Sequence, residues 1–196
     1  MPVPCKTLTT PSKSTKKPCD VTIKEFFGSK DLSTHSQYIM QAYTSLPKSC
    51  QKIGIDPSLL NTWMKTRYMM VLVANSNTSI QGILFATLGD KGSNIHINLL
   101  CTKRECHGAG RALMEHIMTV ALKNRNPYLE LQAVSDAVPF YSRLGFERVT
   151  PVKRSRSERT VAMRLNVLWY FSCFIRMYLS PNDKRNIGTV FCRCHS

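Results

Sequence analysis

The chain has 196 residues, 43% of them hydrophobic and 20% charged, a balance that suits a globular protein and excludes a disordered or collagen-like one. No apolar run reaches the ~18 residues of a membrane-spanning helix; the longest, Leu165 to Leu179, is broken by Arg176. Against 12 Asp and Glu stand 27 Lys and Arg, so the net charge is +15, and such a surface draws anions such as nucleic acid, acidic lipid or a phosphorylated small molecule.

Residues 1–19 are rich in Pro, Ser, Thr and Lys and carry no acid, which predicts a basic tail without a core of its own. They hold no apolar stretch of the ~7 to 15 residues a secretory signal needs. The folded part is expected to begin at Asp20. Residues 21–27 alternate like a strand. Residues 32–50 and 57–67 read as two helices, the second opening on Asp56-Pro57, with Pro suited to a first helical turn. Three β-rich runs follow, at 68–74, 80–88 and 95–101. The turn-forming segments 75–79 and 89–92 separate them, which predicts an antiparallel meander.

Leu113, Ile117, Val120 and Ala121 recur at helical spacing, so 109–124 is expected to be a helix with a buried stripe. Residues 128–134 form a strand with Leu129, Leu131 and Ala133 on one face and Glu130 and Gln132 on the other. A short helix at 136–143 ends at Gly145. Closing strands are expected at 146–152 and 160–167, around a basic loop with Lys153, Arg154, Arg156 and Arg159 against Glu158. Such a loop would repel a Lys-rich segment and attract an anionic one. The nearly all-apolar segment 167–179 predicts a helix buried in this chain or in a partner.

The eight cysteines are scattered without a Cys-x-x-Cys pair, and a chain of this length builds a core without staples. They read as mostly free thiols in a reducing compartment. Cys192-Arg-Cys194-His195 lacks a second ligand pair, so no metal site is assigned.

The segment Ile95 to Gly110 carries the chemistry. A strand runs into a glycine-containing turn, Glu105-Cys106-His107-Gly108-Ala109-Gly110, that opens a helix at Arg111-Ala-Leu-Met114. No Ser, Thr, Asp or Asn caps that helix, so its first backbone N–H groups are free for an anion. Glycine lets a phosphate approach the backbone closely. Alone, Gly-x-Gly also fits a plain tight turn. The second segment, Ala133-Val-Ser-Asp-Ala137-Val-Pro-Phe140-Tyr141-Ser-Arg-Leu144-Gly145-Phe146, follows the next strand.

Together, in this order, the two segments resemble the Gcn5-related N-acetyltransferase (GNAT) superfamily. The first is similar to its Arg/Gln-x-x-Gly-x-Gly/Ala acyl-CoA signature, with Glu105 in place of the Arg or Gln. The second is similar to its Ala-x-x-x-Ala-x-x-Phe-Tyr-x-x-x-Gly-Phe segment. The motifs span about 95–147 and the element order extends the likeness to 20–167. The resemblance implies a mixed α/β fold, a centrally splayed sheet of about six to seven strands flanked by about four helices. It implies a domain at 20–167, between the tail 1–19 and a C-terminal extension 168–196.

The implied activity is transfer of an acetyl group from acetyl-CoA to a primary amine of a small molecule or protein, by direct attack on the thioester. Leu99, Leu100, Cys101, Cys106, His107, Gly108, Ala109, Gly110 and Arg111 would bind the acetyl-CoA. Tyr141 matches the family's tyrosine that protonates the departing thiolate. For the general base, His96 offers a side chain that exchanges protons near neutral pH, and Glu130 is the other candidate. Asn94, His96, Asn98 and Leu100 are expected on one face of their strand.

The alternative is a non-catalytic GNAT-fold protein that binds acyl-CoA or associates with nucleic acid. Non-specific contact with anions or nucleic acid and a homodimer are further expectations. The absent signals and reduced-looking cysteines point to the cytoplasm, with the nucleus as the alternative.

Overall fold

The computed structural model describes residues 20–47, 50, 56–77, 79–90, 92–103, 107–149 and 160–172. In chain order these form strand β1 (Thr22–Phe27), helices α1 (Gly28–Thr34), α2 (Ser36–Thr44) and α3 (Pro57–Met64), and strands β2 (Met69–Ser76), β3 (Ser79–Leu88) and β4 (Ile95–Thr102). Helix α4 (Ala109–Lys123), strand β5 (Tyr128–Val134), a 3-10 turn (Ser135–Ala137) and helix α5 (Val138–Arg143) follow. Strands β6 (Glu147–Arg148) and β7 (Thr160–Asn166) come next. A last helical stretch, α6, occupies 167–172.

The strands make one sheet in the order β1-β2-β3-β4-β5-β7-β6. The expected meander is there: β1, β2, β3 and β4 pair antiparallel with their chain neighbours. β4 and β5 are parallel neighbours, joined through α4. β7 then inserts antiparallel between β5 and β6.

Alternation divides the buried side chains between two faces. Met70, Leu72 and Ala74 of β2 point into a first core with Leu113, Ile117 and Met118 of α4 and Val138 and Tyr141 of α5. Met69, Val71 and Val73 point into a second core with Leu32, Ile39, Tyr43 and Leu60 of α1 to α3. A strand buried on both faces needs a continuous apolar run, which Met69 to Ala74 supplies.

Several boundaries differ from expectation for local reasons. The helix expected over 32–50 is two helices that part at His35. The Asp31 carboxylate accepts from the Phe27 N–H at 2.9 Å and starts α1 early, at Gly28. The Asp31 carbonyl then accepts the His35 N–H, and φ and ψ at His35 leave the helical region. Helix α3 opens as its sequence predicts: Asp56 caps it, Oδ1 accepting from the Leu59 N–H at 2.8 Å, with Pro57 in the first turn. The closing strand expected over 146–152 has two ladder residues, Glu147 and Arg148, among the described ones. The tail 1–19, the basic loop around Lys153 and the Cys192–His195 segment lie outside the described residues.

In α6, Tyr170 and Phe171 pack on the first core, while Leu168 and Trp169 are exposed. Among the described residues no helix is long and apolar enough to cross a membrane.

The cysteine reading needs one correction. Cys50 and Cys101 form a buried disulfide, with Cα atoms 5.8 Å apart. They lie 51 residues apart, so neither spacing nor motif marks them as a pair.

Candidate active site

The site is built where β4 and β5 separate. Their parallel ladder has three rungs, Ile95–Leu129, His96–Glu130 and Ile97–Leu131, and then stops. β4 runs on to Thr102 and β5 to Val134. Beyond the third rung, the backbone groups that each strand turns toward the other have no ladder partner among the described residues. A wedge therefore opens between 98–102 and 132–134.

Asn98 sits at its apex. On β3, Ala86 pairs with Ile97 and Phe85 with Leu99, so Asn98 is an extra residue in β4, a β-bulge. The Asn98 amide is held against Thr87 Oγ1 at 2.8 Å. The bulge inverts the alternation: Ile95 and Ile97 face the first core, but Leu99 and Cys101 face the second. Leu100 packs on the first core, so it does not share a face with His96 and Asn98 as the sequence suggested. The adjacent Leu99 and Leu100 were the only hint of this in the sequence.

The N-terminus of α4 closes one side of the wedge. Gly108 precedes it at φ +109°, a conformation that side-chain-bearing residues rarely adopt. Among the described residues no side chain caps the helix, and its first ladder bond runs from the Ala112 N–H to the Gly108 carbonyl. The N–H groups of Ala109, Gly110 and Arg111 are thus without helical acceptors and carry the positive end of the helix dipole. A Cβ on Gly110 would lie 3.4 Å from Phe140 Cζ and 3.5 Å from Thr102 Cγ2. Three parts thus meet at Gly110, in ordinary van der Waals contact: the first turn of α4, the end of β4 and α5. An uncapped helix start can hold an anion, and the unpaired strand edge beside it can pair with a ligand's amide groups.

Other expected ligand-binding residues take distinct positions. His107 is exposed beside Gly108. The Arg111 guanidinium is bound along the helix to Glu115, Nε donating to Oε1 at 2.7 Å, and this hydrogen bond holds its pKa above the usual value. Its backbone N–H remains in the free first turn. Leu99 and Cys101 are buried, and the Cys101 thiol is taken up by Cys50. Cys106 and Glu105 lie outside the described residues.

Tyr141 is 8% exposed, with its ring edge-on to Phe140 and Phe146 at 5.1 and 5.7 Å between centroids. Burial pushes its hydroxyl up to about 12. Among the described residues the hydroxyl makes no hydrogen bond.

His96 and Glu130 are brought together, as partners on the second rung. His96 is exposed. Glu130 is committed: Arg164 of β7 donates to its Oε1 from Nε at 2.8 Å and lies within 2.7 Å through Nη2. Asn94 Nδ2 donates to the same oxygen at 3.0 Å. Arg164 also lies over the Tyr128 ring, 4.9 Å from its centroid. Sequence reading missed Arg164, because its partner stands 34 residues earlier on a neighbouring strand. Among the described residues no group of His, Cys, Asp and Glu is placed to hold a metal ion.

A family model described as an acetyltransferase (GNAT) domain matches residues 41–167. No curated protein matches the chain. Tetrahymena Gcn5 superposes with a TM-score of 0.57 at 15% identity, covering 76% of this chain and 96% of that one. An acyl-CoA N-acyltransferase from Pseudomonas aeruginosa gives 0.54 at 19% identity, over 75% and 99%. A GNAT family acetyltransferase from Elizabethkingia anophelis, solved with acetyl-CoA bound, gives 0.53 at 13% identity, over 74% and 97%. At such identities the structural likeness is one of fold: a mixed α/β sheet splayed at its centre.

Proposed function

The chain belongs to the GNAT acetyltransferase family, and on that premise we propose that it is an acetyl-CoA-dependent N-acetyltransferase acting on a primary amine of a small molecule or protein. The observation that carries this reading is the meeting of the β4–β5 wedge with the uncapped start of α4. The solved relative with acetyl-CoA bound supports acetyl-CoA as the donor.

Acetyl-CoA, when bound, supplies an acetyl group already activated as a thioester, so no nucleophile from the chain is required. The N–H groups of Ala109, Gly110 and Arg111 bind its diphosphate, with His107 beside them. The free backbone edge of Leu99, Leu100 and Cys101 orients its amide-bearing arm. In this reading a backbone N–H at the Asn98 bulge, left without a β5 ladder partner, stabilises negative charge on the acyl oxygen. The chain thus contributes mainly proximity and orientation.

Two groups handle protons. The His96 imidazole takes up the proton that the acceptor amine gives up. It is open to the face from which the acceptor arrives and has no hydrogen-bond partner among the described residues. Glu130, with one oxygen committed to Arg164 and Asn94, is the alternative acceptor. The Tyr141 hydroxyl, held protonated far above neutral pH, gives its proton to the CoA thiolate as the carbon–sulfur bond breaks.

Release of free CoA thiol on mixing the protein with acetyl-CoA and primary amines tests the reading. Amine-dependent release is expected. Acetyl-CoA binding without release under any amine would leave an acyl-CoA-binding module instead.

A further inference from the structure

The two faces of the sheet are unequally covered. Helices α1 to α3 close the second face over β1, β2 and β3. Among the described residues nothing covers that face over β5 and β7. Tyr128, Glu130 and Arg164 stand there, beside His96 at the mouth of the wedge. Glu130 and Arg164 are also register partners.

Their arrangement is one-sided. All three donors on Glu130, Asn94 Nδ2 and Arg164 Nε and Nη2, converge on Oε1. Oε2 has no partner among the described residues, and neither has Arg164 Nη1. Side-chain exposure of 44% for Arg164 and 29% for Glu130 leaves both free ends accessible. The Tyr128 ring beneath the guanidinium and the Asn94 amide beside the carboxylate fix the pair in place. An exposed ion pair contributes only about 0–1 kcal/mol to stability, so fold stability alone explains little of this arrangement.

A free carboxylate oxygen and a free guanidinium nitrogen, held side by side, complement a ligand with the opposite two charges at short separation. The Glu130 oxygen suits an ammonium; the Arg164 nitrogen suits a carboxylate. An α-amino acid carries both on one carbon. We propose that the acceptor is a free α-amino acid or similar zwitterion, and that Arg164 is the residue that selects for its carboxylate. The pair stands one rung from the end of the β4–β5 ladder, so an amine seated there lies beside His96 and next to the wedge. This inference rests on the acetyltransferase reading and deepens it.

The test measures CoA release with the twenty common L-amino acids, their amides, and the primary amines that lack only the carboxylate. The wild type should use at least one amino acid with kcat/KM tenfold or more above its amide and its decarboxylated amine. Arg164→Ala should erase that ratio through a rise in the acceptor KM, roughly ten- to hundredfold, while KM for acetyl-CoA holds. Arg164→Lys, which keeps the charge and loses the fork, should recover part of the preference and serves if the alanine variant does not fold. Amine-dependent turnover with no preference for the carboxylate, or with a preference that Arg164→Ala and Arg164→Lys leave intact, overturns this proposal and leaves the acetyltransferase reading standing. Absence of turnover with every amine, while acetyl-CoA still binds, overturns both.

Discussion

Gly82 and Thr102 are register partners across β3 and β4, and no space remains between them: a Cβ on Gly82 would lie 2.8 Å from Thr102 Cγ2. The Cys101 carbonyl oxygen, at 3.0 Å, and Leu113 Cδ1, at 3.1 Å, close the other directions. One of these obstacles is backbone and cannot rotate away. The end of β4, beyond its last rung with β5, is thus seated directly on β3 and α4.

Gly82→Ala should therefore destabilise the protein by about 1–3 kcal/mol, the usual cost of forcing a methyl into a filled interior. Denaturant unfolding monitored by circular dichroism reads this directly. Because the displaced groups border the wedge, acetyl-CoA affinity should fall as well.

Gly108→Glu addresses binding more locally. Among the described residues a Cβ there meets no atom within 4 Å, so the strain comes from φ, and the added carboxylate would compete with an anionic ligand for the free N–H groups of α4. Calorimetric titration should show acetyl-CoA binding in the wild type and at least a tenfold loss in the variant. Acetyl-CoA should also raise the melting temperature of the wild type only.

Tyr141→Phe should leave the fold intact, since the hydroxyl has no hydrogen bond among the described residues to lose, and should lower kcat roughly a hundredfold. The same residue predicts an alkaline effect. Its folded pKa is raised by burial, from 10.0 to about 12. The folded state thus binds this proton more tightly than the unfolded chain. The associated stability is complete below pH 10 and is lost as pH rises toward 12, a change on the order of 2–3 kcal/mol. Unfolding midpoints measured between pH 9 and 12 should fall less steeply in the phenylalanine variant.

The Cys50–Cys101 disulfide closes a loop of 51 residues, which restricts the unfolded chain by about 4 kcal/mol in the chain-entropy treatment. Cys50→Ala should lower the melting temperature in the absence of reductant. With dithiothreitol present the two proteins should converge. Equal melting temperatures without reductant would show that the cross-link does not form in solution.

What the sequence discloses here is what local periodicity encodes. Leu113, Ile117 and Ala121 mark α4, and Leu129, Leu131 and Ala133 mark β5, because each repeat fixes a face without reference to distant residues. Asp56 and Pro57 announce α3 for the same reason. The glycine at 108 and the missing cap on α4 were equally readable. Three features were not. The Asn98 bulge depends on how β3 registers against β4, and nothing in β4 alone requires it. Arg164 finds Glu130 only once β7 inserts beside β5. Cys50 finds Cys101 only once it packs against the second core with β4. Each is a pairing between distant segments, and a single sequence does not specify such pairings locally.

The three-rung ladder has a further consequence. Six rungs join β1 to β2 and seven join β5 to β7, so the sheet is two plates that share a short seam. Among the described residues, strands β1 to β4 lie in one plate and β5 to β7 in the other, and no strand crosses back. The chain passes between the plates once, through α4 and the residues that follow it. Severing it between Lys123 and Tyr128 would leave each fragment with its own ladders whole. The molecule has the layout of a split protein, whose two halves, made separately, are expected to reassemble across the shared core.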